Sequence, residues 1–367
     1  FQPLEDDPNY QAEYPPDMLV DPYKAYRALK EVKCHKSVGA DEIPNRILRD
    51  FAFELSPVVS DIYNSTLRQG KIPELLKSSI VSPIPKCMPL KTIEDDLRPI
   101  SLTPQIAKVM EGFTLEPLLA DIGDQIDPYQ FAMKGRSTTQ ALVFLQHNVL
   151  KTLDRGGSAA RVLFADFSKG FDLVDQGVLV AELEKLNVRP AVVGWIQAFL
   201  TRRKQCVRIR DKISSFKCLN GGIPQGTKLG PILFAVLVNS LLRDWNFRIK
   251  FVDDLTTIEF IPRCSLSVTP FLVNDIYDYA STRGMRLNSK KCKEMIINFL
   301  QYRLPFQDAL QVGGNTIERV SSNKLLGVYL NNDLSWNLHC DYITKKANKG
   351  LYMLRILRRA RIGYQQL

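Results

Sequence analysis

Along residues 22–75 apolar side chains recur at i, i+3 and i+4, the spacing of one helix face. Tyr23–Val32 and Ile43–Leu67 are the two runs, with stops near Gly39 and Gly70. From Ser78 to about Ala160 short apolar runs, Ile80–Ile84 and Arg98–Leu102, mix with a helical pattern over Ser137–Leu153. From Arg161 onward strand and helix signals alternate. Arg161–Asp166 predicts a buried strand, Val174–Leu186 and Ala191–Leu200 predict helices, and Gln205–Arg210 with Phe216–Leu219 predict a hairpin. Gly230–Leu242 predicts a buried helix. Two apolar runs, Phe247–Val252 and Leu255–Phe260, flank the pair Asp253-Asp254. A helix over Asn274–Arg283, a strand Met295–Phe299, a hairpin turning at Gly313-Gly314-Asn315 and a strand Leu325–Leu330 follow. The pattern predicts an α+β fold, a sheet with helices on one face.

The chain has 367 residues, which favours two or three lobes over one core. At 45% apolar and 24% charged it has the composition of a globular protein, which argues against disorder or a disulfide scaffold. The uncharged stretch Leu229–Leu242 is 14 residues, short of the ~20 that span a bilayer, so no membrane partner is expected. No basic segment precedes an apolar run at the start. The seven cysteines are scattered without a C-x-x-C, and read as free thiols in a reducing, intracellular compartment. The three histidines lie at no finger-like spacing.

The net charge of +10 is uneven: the first 21 residues hold six acids and no Lys or Arg. From Tyr342 onward there is no acid, and Lys345, Lys346, Lys349, Arg355, Arg358, Arg359 and Arg361 interleave with apolar residues at helical spacing. This predicts a basic amphipathic helix, a solvated face or one that tracks a phosphate backbone, with calmodulin-like or membrane-surface binding as a further alternative.

Asp-Asp pairs occur at 6–7, 95–96 and 253–254, so the dipeptide alone says little. Only the third lies between two strand-like runs, where its carboxylates would share a hairpin tip. Like charges that close persist most easily with a cation between them, although an Asp-rich turn is the plainer alternative. Asp166 ends an apolar strand that would deliver it to a sheet edge. If the two strands are neighbours, Asp166 and Asp253 converge as hard oxygen ligands suited to Mg²⁺ and to phosphoryl transfer. A helix-capping or turn role for Asp166 stays open.

Taken in order, these segments resemble the reverse transcriptase domain of non-LTR (LINE-type) retrotransposon polyproteins, over roughly Lys36 to Arg361. Phe164-Ala165-Asp166-Phe167-Ser168-Lys169-Gly170-Phe171-Asp172 is similar to the family's first catalytic block. Gly222-Ile223-Pro224-Gln225-Gly226-Thr227-Lys228-Leu229-Gly230-Pro231 is similar to its loop-and-helix block, and Phe251-Val252-Asp253-Asp254 to its aromatic-x-Asp-Asp block. Upstream, the segments at 36–41, 83–86, 97–102 and 134–139 resemble the fingers blocks. Downstream, those at 284–292, 325–330 and 334–339 resemble the late palm blocks. Gly170 and Val252 each replace a commoner Ala, and Asp41-Glu42 a more usual Asp-Gly.

The resemblance implies a right-hand polymerase with an antiparallel palm sheet carrying the acidic site. Its parts would be an N-terminal helical extension (1–75), fingers (76–160), palm (161–333) and the start of a thumb (334–367). It implies RNA-directed DNA synthesis from RNA template, DNA primer and dNTPs, with two Mg²⁺ ions, or Mn²⁺, on Asp166, Asp253 and the Phe167 carbonyl. Asp254 completes the acidic cluster, and Lys291 serves as proton donor to pyrophosphate. Phe171 crowds the sugar 2′ position, Gln225 and Gly226 meet the new base pair, and Lys86 and Arg98 grip the triphosphate. Lys345, Lys346, Lys349, Arg355, Arg358 and Arg359 would contact nucleic acid. Nuclear residence, and endonuclease and C-terminal regions outside these residues, are implied with it. The rival readings are an RNA-dependent RNA polymerase and an inactive or domesticated nucleic-acid-binding module.

Overall fold

The computed structural model describes residues 16–86, 89–90, 92–301 and 307–363, with only the backbone of residues 94 and 95. The pairs at 6–7, the acids at 5 and 13, and Cys87 lie outside them. Twelve helices and fourteen strands among the described residues fall into two units. One unit takes the chain to Met133, then Phe167–Arg243 and Asp278–Arg286. The other holds Lys134–Asp166, Asp244–Tyr277 and Leu287 onward.

The first unit opens with α1 (Pro22–Lys30), α2 (Asn45–Asp50), α3 (Ala52–Gln69) and α4 (Glu74–Lys77). Asp21 caps α1, its side chain accepting from the Lys24 N–H. The single helix expected over Ile43–Leu67 is two, because Phe51 leaves helical geometry at φ −99°, ψ 29°. The break lets Leu48 and Ala52 both reach the core while Phe51 stays out. Within α3, Pro57 has no N–H to give Phe53, and the Ser56 hydroxyl donates to that carbonyl instead, at 2.9 Å.

Next come β1 (Ser78–Pro85), α5 (Ile93–Asp96), β2 (Leu97–Leu102) and α6 (Gln105–Ile122). After α7 (Thr138–Asp154) and β3 (Ser158–Ala165), both of the second unit, the first resumes with α8 (Gln176–Lys185) and α9 (Pro190–Leu200). It continues through β4 (Lys204–Ile209), β5 (Lys212–Ile213), β6 (Lys217–Cys218) and α10 (Gly230–Leu237). Its sheet is mixed: β1 pairs antiparallel with β2 and parallel with β4, and β4 pairs antiparallel with β5 and β6. The expected pairing of Gln205–Arg210 with Phe216–Leu219 holds at its base, with Gln205 opposite Lys217, and a tighter turn at Arg210-Asp211 sets Ile209 opposite Lys212. The core gathers Tyr63, Phe113, Trp195 and Phe199, with the Trp195 indole N–H donating to Thr66 at 3.0 Å. The helix expected to reach Leu242 ends at Leu237. There the Asn239 side chain turns away, accepting from the Asp127 N–H at 2.7 Å and donating to the Gln125 carbonyl at 3.1 Å.

The second unit is built on β3, which is buried along nearly its whole length. With β7 (Arg248–Phe251), β8 (Asp254–Pro262), β9 (Lys293–Ile297) and β12 (Glu318–Arg319), the order is β12-β9-β3-β8-β7, antiparallel except for β12 on β9. α11 (Thr269–Thr282) precedes β9, and the hairpin β10 (Gln311–Val312), β11 (Asn315–Thr316) turns at Gly313-Gly314 as the sequence predicts. Arg161 is buried on β3 and ion-pairs with Glu294 of β9 at 2.6 Å; Arg319 of β12 reaches the same carboxylate at 2.7 Å. The expected single strand Leu325–Leu330 is a hairpin, β13 (Ser322–Leu325) and β14 (Val328–Asn331). Leu326 and Gly327 form its turn with φ of 47° and 94°. An apolar run with one Gly inside reads as continuous strand, but Gly also permits that reversal. Last comes α12 (Asn337–Arg359).

The fold is thus mixed α and β, with one mixed and one mainly antiparallel sheet. Six cysteines among the described residues are free. No helix among those residues is long and apolar enough to cross a membrane.

Candidate active site

In the second unit the antiparallel register sets Ala165 opposite Leu255, so Asp166, one residue past β3, stands across from Asp254. Phe251 pairs with Asp254, leaving Val252 and Asp253 as a two-residue turn between β7 and β8. Val252 carries φ 56°, a left-handed conformation costly for a β-branched side chain and characteristic of functional turns. The two strand ends thereby bring three acids to one end of the sheet. The Asp254 carboxyl is pushed up to about 6, by surrounding protein and then by the negative charges of Asp253 and Asp166. Asp254 keeps substantial exposure to solvent at the strand ends it shares with Asp253 and Asp166.

Among the described residues, no three His, Cys, Asp or Glu side chains lie close enough to hold an ion by themselves. Mg²⁺ needs only one or two carboxylates beside substrate phosphates, and the repulsion that Asp253 and Asp166 exert on Asp254 is what such an ion would relieve. The donor set fits.

Asp166 is held from behind by the turn that leads into β9. Its carbonyl accepts from the Asn288 N–H at 2.9 Å, and its N–H donates to the Cys292 sulfur at 3.5 Å. The Cys292 thiol donates back to the Asp166 carbonyl at 3.8 Å. Cys292 is buried, and burial pushes its thiol up, so it stays neutral and works as donor and acceptor. The same turn carries Lys291, whose Nζ lies 3.9 Å from Asp166 Oδ2, with both side chains partly in solvent.

The first unit holds the other expected residues in two groups. Phe171 stacks on Phe234 at 5.2 Å between ring centroids, and Phe167 meets the same ring edge-on at 6.5 Å. Gln225 accepts the Ser101 N–H at 2.9 Å on its carbonyl, while its side-chain amide donates to Asp172 at 3.4 Å. Gly226 sits at φ 103°, where any Cβ would lie 3.3 Å from the Ser101 carbonyl, so the loop tolerates only glycine there. Glu111, fully buried, accepts the Lys228 and Leu229 N–H groups at 2.6 and 3.0 Å and fixes the far end of the loop. Burial raises its carboxyl, and burial lowers the neighbouring Arg203 guanidinium to about 10. Lys86 follows β1, exposed, its N–H donating to the Asp96 carbonyl at 2.8 Å; Arg98 pairs with Ile84 across the β1–β2 ladder, also exposed.

Lys345, Lys346, Lys349, Arg355, Arg358 and Arg359 are all exposed on α12. At the start of that helix Tyr342 meets Tyr329 edge-on at 5.2 Å and accepts from Lys324 Nζ at 2.8 Å. This bond lowers the phenol and raises the ammonium.

The sequence reading missed the supporting residues. Cys292 and Glu111 act across 126 and 117 residues of chain, and nothing local marks them. Asp172 could have been noticed as a second acid six residues after Asp166.

Residues 84–330 match the family described as reverse transcriptase (RNA-dependent DNA polymerase). The RNA-directed DNA polymerase from mobile element jockey of Drosophila melanogaster is 26% identical over 318 residues, 83% of this chain and 34% of that protein. The probable RNA-directed DNA polymerase from transposon BS, also of Drosophila melanogaster, is 23% identical over 90% of this chain and 38% of its own length. The chain thus spans little more than a third of these curated relatives. A solved telomerase from Candida tropicalis, in complex with a fragment of telomeric RNA, aligns with TM-score 0.48 at 12% identity, covering 78% of this chain and 49% of that one.

Proposed function

This chain belongs to the reverse transcriptase (RNA-dependent DNA polymerase) family, and from that premise we propose that it extends a DNA primer on an RNA template with dNTPs, as part of a non-LTR retrotransposon polyprotein. The observation that carries the reading is the convergence of Asp166, Asp253 and Asp254 at one end of the β3–β8–β7 sheet.

In this reading residues 76–160 are the fingers, 161–333 the palm and 334–367 the start of the thumb of a right-hand polymerase, behind a helical extension. Asp166 and Asp253, with the Phe167 carbonyl, would hold Mg²⁺, and Asp254 completes the cluster. Held there, the ions would supply polarisation of a primer 3′-hydroxyl and neutralisation of triphosphate charge. Lys86 and Arg98 bind the triphosphate through charge-assisted hydrogen bonds. Lys291 would donate a proton from Nζ to the departing pyrophosphate. Phe171, braced by Phe234, limits room at the sugar 2′ position, and Gln225-Gly226 bring backbone against the new base pair. The cations of α12 follow the duplex backbone. Endonuclease action and nuclear residence belong to the longer protein in this reading.

The test is primer extension on an RNA template with dNTPs and Mg²⁺, beside Asp253→Asn. Extension by the parent chain, lost by about a hundredfold or more in the variant, is expected. Tight, salt-sensitive duplex binding with no extension by the parent would favour a non-catalytic binding module instead.

A further inference from the structure

Glu111 of α6 is a buried carboxylate to which the reading above gives no part in handling substrate. Its Oε2 accepts the Lys228 and Leu229 N–H groups, the donors at the mouth of α10, where the helix dipole also favours a negative group. Opposite charge comes from Arg203 and from the partly buried Lys108. Arg203 is buried too; it lies over the Phe199 ring and donates to the Phe199 carbonyl at 3.0 Å.

A helix cap alone would account for Glu111 without reference to the loop before α10. The rest of the same stretch of chain speaks for more. Ser101 of β2 donates its N–H to the Gln225 carbonyl at 2.9 Å, and its own carbonyl closes over Gly226, where a Cβ would lie 3.3 Å away. Between these anchors the loop bonds to itself: the Thr227 hydroxyl donates to the Pro224 carbonyl at 2.9 Å and accepts the Gly230 N–H at 3.2 Å. The loop's entrance rests on the turn after Asp166, with the Ile223 N–H donating to the Phe171 carbonyl at 2.8 Å. One segment, from Ser101 to Glu111, therefore holds the loop at Gln225 and again at its exit. Arg98 stands near the head of that segment, on β2.

We propose that Glu111 is a positioning residue: by clamping the exit of the Gln225 loop to the segment that carries Arg98, it sets how tightly the incoming nucleotide is held. The clamp follows from the contacts; its effect on the nucleotide rests on the polymerase reading. Glu111 touches loop backbone, so its loss weakens ground-state and transition-state binding together, raising KM and sparing kcat.

Two double variants of the full chain separate the acceptor from the charge. Glu111→Gln/Arg203→Met keeps an oxygen for the two N–H groups, and Glu111→Met/Arg203→Met removes it. Both discard the charge pair as a whole, so neither member is left charged without the other. Steady-state primer extension gives KM for dNTP and kcat, and hydrogen exchange gives the protection of the loop amides. The Gln variant is expected to stay within about threefold of the parent's KM and to keep that protection. The Met variant should raise KM about tenfold with kcat held within about threefold, and should exchange the Lys228 and Leu229 amides about tenfold faster or more. KM does not depend on the amount of folded protein, so a lower melting temperature in either variant leaves the comparison intact. A Met variant with the parent's KM, one whose two amides stay protected, or an equal rise of KM in both variants would overturn the proposal. If the parent extends no primer, the polymerase reading falls, and the clamp stands or falls on the exchange of those two amides.

Discussion

Asp166 is positioned through its backbone: three hydrogen bonds, two of them to the one sulfur of Cys292, hold the peptide units on either side of the carboxylate. A misplaced metal ligand weakens ion binding well before it unfolds anything, because supporting hydrogen bonds orient ligands rather than hold the core. Cys292→Ser keeps a donor and an acceptor at the same place, whereas Cys292→Val keeps the volume and removes both. The Mg²⁺ concentration giving half-maximal extension is expected to stay near the parent's for Ser and to rise roughly tenfold for Val. Equal midpoints in all three proteins would mean that the thiol is only filler. The acids themselves were legible in the sequence, because a buried strand ending on Asp166 and a two-acid turn at 253–254 each carry a local pattern. Their supports were not, since a buried Cys or Glu looks alike whether or not it meets a backbone N–H a hundred residues away.

Among the elements, α12 shows most plainly what patterning predicts. The periodicity from Tyr342 onward anticipated a helix, and the helix runs from Asn337 to Arg359, with no residue of it buried. Replacing Arg355, Arg358 and Arg359 by Gln should lower duplex affinity and flatten the log–log salt slope by between about 2 and 3, at ~0.9 per phosphate contact. A slope identical to the parent's would show that this face does not meet the backbone. Element ends were harder to read than element types. The break at Phe51, the early stop of α10 and the reversal at Leu326-Gly327 are each decided by a backbone angle or a side-chain bond to a distant turn. Apolar spacing carries no record of such partners.

Over the whole molecule, each unit is assembled from three separate stretches of sequence, and the chain passes between units five times. The buried Arg161–Glu294 pair, with Arg319 reaching it from the surface, ties two of the second unit's stretches together. Arg161→Met removes one partner of a buried carboxylate and should cost about 3 kcal/mol. Because the stretches alternate along the chain, loss of one unit strips the other of its fixed ends. Urea unfolding followed at Trp195 of the first unit and at Trp245 of the second should therefore shift to a lower midpoint together. Two separated midpoints would show independently stable units. The alternation also governs when the protein can come into being on the ribosome. β3, emerging with Asp166 behind it, has no neighbour until β8 is made, so the three acids have no sheet to stand on until Pro262 has left the exit tunnel, and the other edge of β3 stays open until Ile297 follows. A chain broken off between Ala165 and Ile297 exposes at least one edge of an apolar strand without its partner, and yields material for chaperones and proteases in place of a finished fold.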